Sequence, residues 1–284
     1  MSRASKELAA ALEALRDRSV VNDSRDYARR WAQAQTRAAS LRKRVLLPAG
    51  VLAIVGALVY FLVLPQLGLD RALVTTAIGE TRTVALDDGS RIVLDTSSRM
   101  RVSFSASVRD IELLDGQAQF QVARDAHRPF RVRTGTAEIV ALGTLFDVAR
   151  LPSRTTVTLI EGRVRVRTIS PEVSSLVEAL VPGQQLRIGG DGQLLDKKPV
   201  KIEDVTAWQR GKIVLDDMPL GEALATLNRY SRTQIVIRDT ALQSRHISGA
   251  FRSGDVETEA VTLQRYFGLK ESARSDSMIL LEPN

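Results

Sequence analysis

The chain has 284 residues, 44% of them apolar and 26% charged, with 40 Lys and Arg against 33 Asp and Glu. That composition is of a folded chain long enough for one to three domains. The absence of cysteine removes thiol nucleophiles, disulfide scaffolds, iron–sulfur clusters and cysteine-bound zinc, and only two histidines, His127 and His246, are available for imidazole chemistry.

The net charge of +7 is concentrated at one end. Residues 1–44 hold eleven of the bases and five of the acids, which leaves the remaining 240 residues at about +1. A basic arm on a nearly neutral body argues against direct nucleic-acid binding by the body. Within the arm, Leu8, Leu12 and Leu15 fall at helical spacing over Ser5–Arg18. Asn22-Asp23-Ser24 then breaks the chain. In the following stretch Tyr27, Trp31, Ala34, Ala38 and Leu41 share one helical face, with Arg25, Arg29 and Arg37 opposite. Such an arm can lie on anionic lipid headgroups or fold its Tyr27/Trp31 stripe against a cytoplasmic partner.

Val45–Leu64 follows, 20 residues without a charge. As a helix it spans about 30 Å, the thickness of a bilayer's hydrocarbon core. A signal peptide would have a shorter preceding region and a small-residue cleavage site, and a buried helix of a soluble domain would keep a polar face. We therefore expect a single N-terminal transmembrane helix. Arg42-Lys43-Arg44 precedes it and the first base after it is Arg71, so residues 1–44 are expected in the cytoplasm and the rest outside.

From residue 74 to 188 the sequence alternates with period two between turn signals, as short strands do. Strands are expected at Val84–Leu86, Arg91–Asp95, Arg101–Phe104, Ile111–Leu114, Ala118–Val122, Phe130–Thr134, Ala137–Leu142, Leu145–Ala149, Thr155–Ile160, Arg163–Thr168 and Gln184–Ile188. Asp115-Gly116 reads as the tight turn between two of them. The pattern fits a β sandwich or a short β solenoid.

After residue 208 the pattern changes. Strands are expected at Lys212–Leu215, Gln234–Ile237, His246–Phe251 and Met278–Leu281. One helix is expected to start at Asp216-Asp217-Met218-Pro219, with Leu220, Leu224 and Leu227 inward. A second opens at Asp255, with Val256, Ala260, Leu263 and Phe267 inward, and ends at Gly268. Thr226-Leu227-Asn228-Arg229-Tyr230 returns 36 residues later as Thr262-Leu263-Gln264-Arg265-Tyr266. This reads as a small α+β domain of two βαβ-like halves.

Chemistry-bearing motifs are missing: there is no phosphate loop, dinucleotide fingerprint, nucleophile elbow or HExxH helix. Asp87/Asp88 and Asp216/Asp217 fall where acids serve turns and helix starts. His127 lies in a turn and His246 at a strand start, with nothing near either in sequence to make a site. No catalytic residue, metal site or cofactor is expected, and the pattern favours a binding or signalling protein over an enzyme.

An ordered set of residues then resembles a known family. It comprises Gly79-Glu80, Val84-x-Leu86-x-Asp88-Gly89-Ser90, Leu94-Asp95-Thr96-x-Ser98, Arg109-Asp110-Ile111-Glu112-Leu113-x-x-Gly116-x-Ala118-x-Phe120-x-Val122-Ala123 and Arg128-Pro129-Phe130-x-Val132. It continues with Ala141-Leu142-Gly143-Thr144-x-Phe146-x-Val148, Val157-x-Leu159-x-Glu161-Gly162-x-Val164 and Leu180-x-Pro182-Gly183-Gln184. Together these resemble the FecR domain. Trp208-x-x-Gly211, Leu220-x-Glu222-Ala223, Asn228-Arg229-Tyr230 and Ile247-Ser248-Gly249-x-Phe251 resemble that family's C-terminal domain, which is similar to the short N-terminal module of secretins and TonB-dependent receptors.

The resemblance implies a mainly β protein with a C-terminal α+β domain. Its parts would be a cytoplasmic arm (1–44), a transmembrane helix (45–66), a periplasmic FecR-type β domain (67–200) and the C-terminal domain (201–284). It also implies a single-pass inner-membrane regulator of an ECF-type sigma factor. Such a regulator relays a signal from the signalling domain of an outer-membrane TonB-dependent receptor, often one importing iron complexes. An intramembrane protease is a further implied partner, beside the membrane lipids, and no direct nucleic-acid contact is implied. Tyr27, Trp31 and Leu41 are the candidate sigma-binding residues, on an arm shorter than is usual in the family. The alternative is a membrane-tethered periplasmic interaction module without sigma binding.

Overall fold

The structure is a computed structural model that describes Lys6, Glu7, Ala10, residues 72–170 and residues 177–284. Lys6, Glu7 and Ala10 are helical, in the stretch expected to be so. Val45–Leu64 lies outside the described residues, and among the described residues no helix is long and apolar enough to cross a membrane.

Residues 72–199 form thirteen strands: β1 (Ala72–Thr75), β2 (Arg82–Ala85), β3 (Arg91–Leu94), β4 (Arg99–Phe104), β5 (Arg109–Gln121), β6 (Phe130–Arg133), β7 (Ala137–Ala141), β8 (Leu145–Leu151), β9 (Arg154–Glu161), β10 (Val164–Thr168), β11 (Val177–Leu180), β12 (Gln184–Gly189) and β13 (Leu194–Pro199). All belong to one sheet that β5 divides into two ladders. The first half of β5 pairs antiparallel with β4 and parallel with β6, and the ladder extends through β1 on one side and β7, β10 and β11 on the other. Its second half pairs with β3 and β8, and the second ladder runs from β2 to β13.

β5 corrects one expectation. Ile111–Leu114 and Ala118–Val122 are not separate strands joined by a turn but parts of a single 13-residue strand. Pairing with β4 passes over Leu114, a bulge that bends the strand. Gly116 just beyond it sits at φ +90, with Ser98 packed where a Cβ would be. The same positive φ that suits Asp-Gly to hairpins here lets one strand leave one ladder and enter the next.

Alternation along these strands buries one face. Ile92, Leu94, Met100, Ile111, Leu113, Phe120, Phe130, Phe146 and Leu159 are wholly buried in one core contributed by both ladders. Phe120 stacks on its cross-strand neighbour Phe146 at 5.1 Å and meets Phe130 of the other ladder edge-on at 6.2 Å. The arrangement is sandwich-like rather than a solenoid. At one margin Arg109, without solvent exposure, donates to Asp88 at 2.7 Å and to the carbonyls of Ala123 and Arg128. Burial raises the Asp88 carboxyl, but its hydrogen bonds from Ser90 and Arg109 outweigh that and hold it below the usual range.

The remaining chain contains α1 (Ile202–Val205), a 3-10 turn (Ala207–Arg210), β14 (Lys212–Pro219), α2 (Leu220–Asn228), β15 (Gln234–Ile237), α3 (Thr240–Gln243), β16 (His246–Arg252), α4 (Val256–Phe267), β17 (Leu269–Ser275) and β18 (Met278–Pro283). Each half is strand–helix–strand, but the strands of a half lie in different sheets. β14 pairs antiparallel with β16, while β15 lies parallel to β18, which β17 flanks. The halves are therefore not βαβ units of one parallel sheet. Leu220, Leu227, Ile235, Leu263, Ile279 and Leu281 lead a second core.

The start of α2 is also corrected. Asp216 and Asp217 do not open it; they form a bulge in β14, with Asp217 at φ +47, and pairing resumes at Met218 and Pro219. Pro219 precedes the helix without a side-chain cap, and the Leu220 amide donates to the Arg245 carbonyl at 2.7 Å. A residue before proline favours extended backbone, which keeps the strand going one step longer than the acids suggest. α4 follows expectation: Asp255 caps it through the Thr258 amide, and Gly268 ends it in the left-handed conformation.

Candidate functional site

Tyr27, Trp31 and Leu41, the expected sigma-binding residues, lie outside the described residues. His127 is exposed in its turn, where its amide donates to Asp125, and His246 is exposed at the start of β16. The polar residues that the structure does bring together lie where the C-terminal elements meet the sandwich.

Two buried aspartates carry this junction. Asp95 follows β3 and is 1% exposed; Asp147 is on β8 and is 2% exposed. The Tyr230 hydroxyl, just beyond α2, donates to Asp95 Oδ2 at 2.5 Å, and the Arg229 guanidinium lies 3.5 Å from the same oxygen. Arg229 also donates to the Thr96 carbonyl at 2.9 Å. The hydroxyls of Thr96 and Ser97 return the contact by donating to the Arg229 carbonyl. Ser97 stands at φ +49, so the turn after β3 is bent to present these groups. Asp147 accepts from the Gln117 amide at 2.8 Å and from the indole N–H of Trp208 at 3.2 Å. A third link pairs Arg154 of β9 with Glu222 of α2.

The electrostatics follow from burial. Desolvation raises the Asp147 carboxyl to about 7, against the pull of its bonds from Gln117 and Trp208. Asp95 is raised for the same reason despite Arg229, and Tyr230 is raised well above a free phenol by burial and by Asp95. Burial lowers the Arg154 guanidinium to about 10. Two carboxyls compete here for one well-placed cation, Arg229. A cavity of about 170 Å³ adjoins the cluster, lined by Asp147, Arg154, Trp208, Met218, Arg229 and Tyr230 among others. No nucleophile–base pair occurs in this set. It is a clasp, chemically suited to holding two cores together and to loosening when its charges change.

Sequence reasoning noticed these letters without their roles. Leu94-Asp95-Thr96, Trp208 and Asn228-Arg229-Tyr230 all belong to the resembling motifs, yet no spacing rule joins residues 133 to 135 apart. Asp147 and Gln117 fall at unspecified positions of those motifs, in Phe146-x-Val148 and Gly116-x-Ala118. Neither carries a local signal: Asp147 alternates with the core-facing Phe146 and Val148, so the pattern marks it as outward, and the C-terminal elements, through Trp208, are what cover it.

The fold and clasp together define a β-sandwich body with a strand–helix–strand module locked to its side. Residues 72–165, most of this body, match the model of the family described as FecR protein. Two crystal structures of a candidate anti-sigma factor from Parabacteroides distasonis ATCC 8503, at 1.65 and 2.50 Å, are similar to the chain. They align with TM-scores of 0.67 and 0.66 at 28% and 27% identity, each over 75% of this chain and 99% of the other. No curated protein matches the chain.

Proposed function

We propose that this chain is a FecR-type sigma-factor regulator. Its anchor would be Val45–Leu64 in the inner membrane, its arm of residues 1–44 would meet an ECF-type sigma factor in the cytoplasm, and residues 67–284 would lie in the periplasm. There the C-terminal part would take the signal from the signalling domain of a TonB-dependent outer-membrane receptor. The reading rests above all on the FecR domain continued by a docked C-terminal module, an architecture similar over 75% of the chain to a candidate anti-sigma factor. The concentration of charge in the first 44 residues and the uncharged run after them favour the topology.

The mechanism needs no bond chemistry. A contact on the C-terminal part biases the Asp95–Tyr230 and Asp147–Trp208 links, the sandwich shifts relative to it, and the change reaches the anchored arm. An intramembrane protease acting on the anchor would make that release irreversible.

The test is capture of a sigma factor by the full chain in its host, identified by mass spectrometry, with wild type against the Tyr27→Ala/Trp31→Ala/Leu41→Ala triple variant. We expect an ECF-type sigma factor on wild type and its loss from the variant. Capture of none by wild type, with binding of residues 1–44 to anionic vesicles instead, reduces the arm to an anchor and refutes the regulatory reading.

A further inference from the structure

The repeat in the C-terminal part has a geometric counterpart. In the β14–β16 ladder Ile213 stands opposite Phe251 and Leu215 opposite Gly249. Shifted by 36 residues, the first pair becomes Gly249 opposite Leu215, so a pseudo-two-fold axis relates the two halves. The helices obey it as well. Leu227 and Leu263 are both fully buried, and Thr226 and Thr262 each donate to the carbonyl four residues earlier, at 2.8 and 2.7 Å.

The halves depart from each other at three related positions. Ile213, 5% exposed, is matched by Gly249, which has no side chain to bury. Ala223, fully buried on α2, is matched by Glu259 on α4, which is 1% exposed. Tyr230, bound in the clasp, is matched by Tyr266, which is 58% exposed. Where the first half fills its core, the second opens a cavity of about 170 Å³ along β16, lined by Ile247, Gly249, Phe251, Glu259, Thr262 and Tyr266 among others. Glu259 Oε1 is buried there without a hydrogen-bond donor. The acids around it are occupied: Asp255 caps α4 and Glu257 is held by Arg274 at 2.6 Å. Arg252 and Arg265 stand on the outer surface of the groove with their own positive charge. Among the described residues β16 pairs with no strand but β14, so its other edge is open.

We propose that this groove receives an extended segment of a partner protein, laid along the open edge of β16, whose basic side chain enters beside Gly249 and pairs with Glu259. The inference rests on the reading of the C-terminal part as the receiver of the periplasmic signal. Three features carry it. A buried carboxyl oxygen without a donor is costly unless a ligand supplies one. The strand edge offers main-chain pairing to an extended segment. Tyr266 and Val261, 58% and 43% exposed, give that segment apolar area outside the pocket. Charge complementarity fixes the occupant: the pocket's unmet acid takes a base, while Arg252 and Arg265 favour acidic residues on either side of it.

The probe is a fluorescent nonapeptide of alternating valine and threonine with a central lysine and an aspartate two residues to each side, compared with the same peptide carrying norleucine at the centre. Binding is read by anisotropy to the full chain in detergent micelles. We expect the lysine peptide to bind roughly tenfold tighter or more, the worth of one charge-assisted hydrogen bond. We expect that advantage to vanish in Glu259→Gln and in Glu259→Ala, the latter copying Ala223, with both variants shown to be folded by their unfolding transitions. Equal binding of the two peptides, binding of neither, or a lysine advantage that survives Glu259→Gln overturns the proposal. The receptor's signalling domain is titrated in parallel: failure to bind wild type refutes the relay reading, while the peptide comparison still decides the groove.

Discussion

Replacing Asp147 with asparagine tests the electrostatics of the clasp most directly. The carboxyl is buried between the sandwich and Trp208, and its pKa rises from 3.8 to about 7. A carboxyl raised in the folded state favours the protein when protonated. Its contribution is complete below about pH 4 and is lost as the pH climbs through 7. A rise of about 3 units corresponds to about 4 kcal/mol between the two ends of that window, at about 1.4 kcal/mol per unit. Asparagine keeps the volume and an accepting oxygen but brings an amide N–H₂ that needs an acceptor, a loss of about 1–2 kcal/mol. The variant should therefore gain about 2–3 kcal/mol over wild type at pH 8 and lose about 1–2 kcal/mol at pH 4. The assay is urea unfolding of the full chain across pH 4 to 8, followed by tryptophan fluorescence, since Trp208 reports on this contact. Glu259, raised to about 7 by burial, keeps part of the wild-type slope in the variant, and adding Glu259→Gln should flatten it further. Parallel pH profiles for wild type and Asp147→Asn, or a variant weaker at pH 8, would show that the Trp208 and Gln117 bonds outweigh burial and refute the reasoning.

Two other substitutions have expected outcomes. Tyr230→Phe removes the 2.5 Å bond to Asp95, whose Oδ1 already lacks a donor, and should destabilise the junction by about 1–3 kcal/mol; trypsin should then cut faster between residues 200 and 212, and unchanged cleavage would count against the clasp. Gly116→Ala would place a Cβ 2.2 Å from the Ser98 hydroxyl oxygen at a φ of +90, so a loss of about 3 kcal/mol or more is expected in thermal or urea unfolding, and a neutral result would mean that β5 does not need its bend.

Most of the strands were legible because each buries one face and the alternation records it, as in β7 and β10. The strands passed over are β1, β11, β13 and β17, whose residues are mostly exposed. An edge strand is specified by its neighbour's unpaired backbone more than by its own side chains, so its pattern is weak. Asp115-Gly116 misled because a positive-φ glycine serves a hairpin and a bend equally. The clasp was illegible for a different reason: Asp95 and Tyr230 meet only after two separate cores have formed, and nothing local to either residue records the other. Glu259 sat beside the apolar stripe of α4 in plain view, but only the ladder register shows that it stands where the other half has an alanine.

β5 also bears on how the body assembles. Among the described residues it is the one strand that pairs in both ladders, with β3 and β4 from before it in the chain and β6 and β8 from after it. A chain emerging from its N-terminus can pair β1 to β5 as it appears, but until residues 130–151 arrive the far side of β5 stays uncovered along its length. That intermediate presents a long unpaired edge rich in Ile111, Leu113, Ala118 and Phe120, the kind of surface that recruits other chains. The sooner β6 to β8 follow, the shorter the time for which that edge is open to other chains.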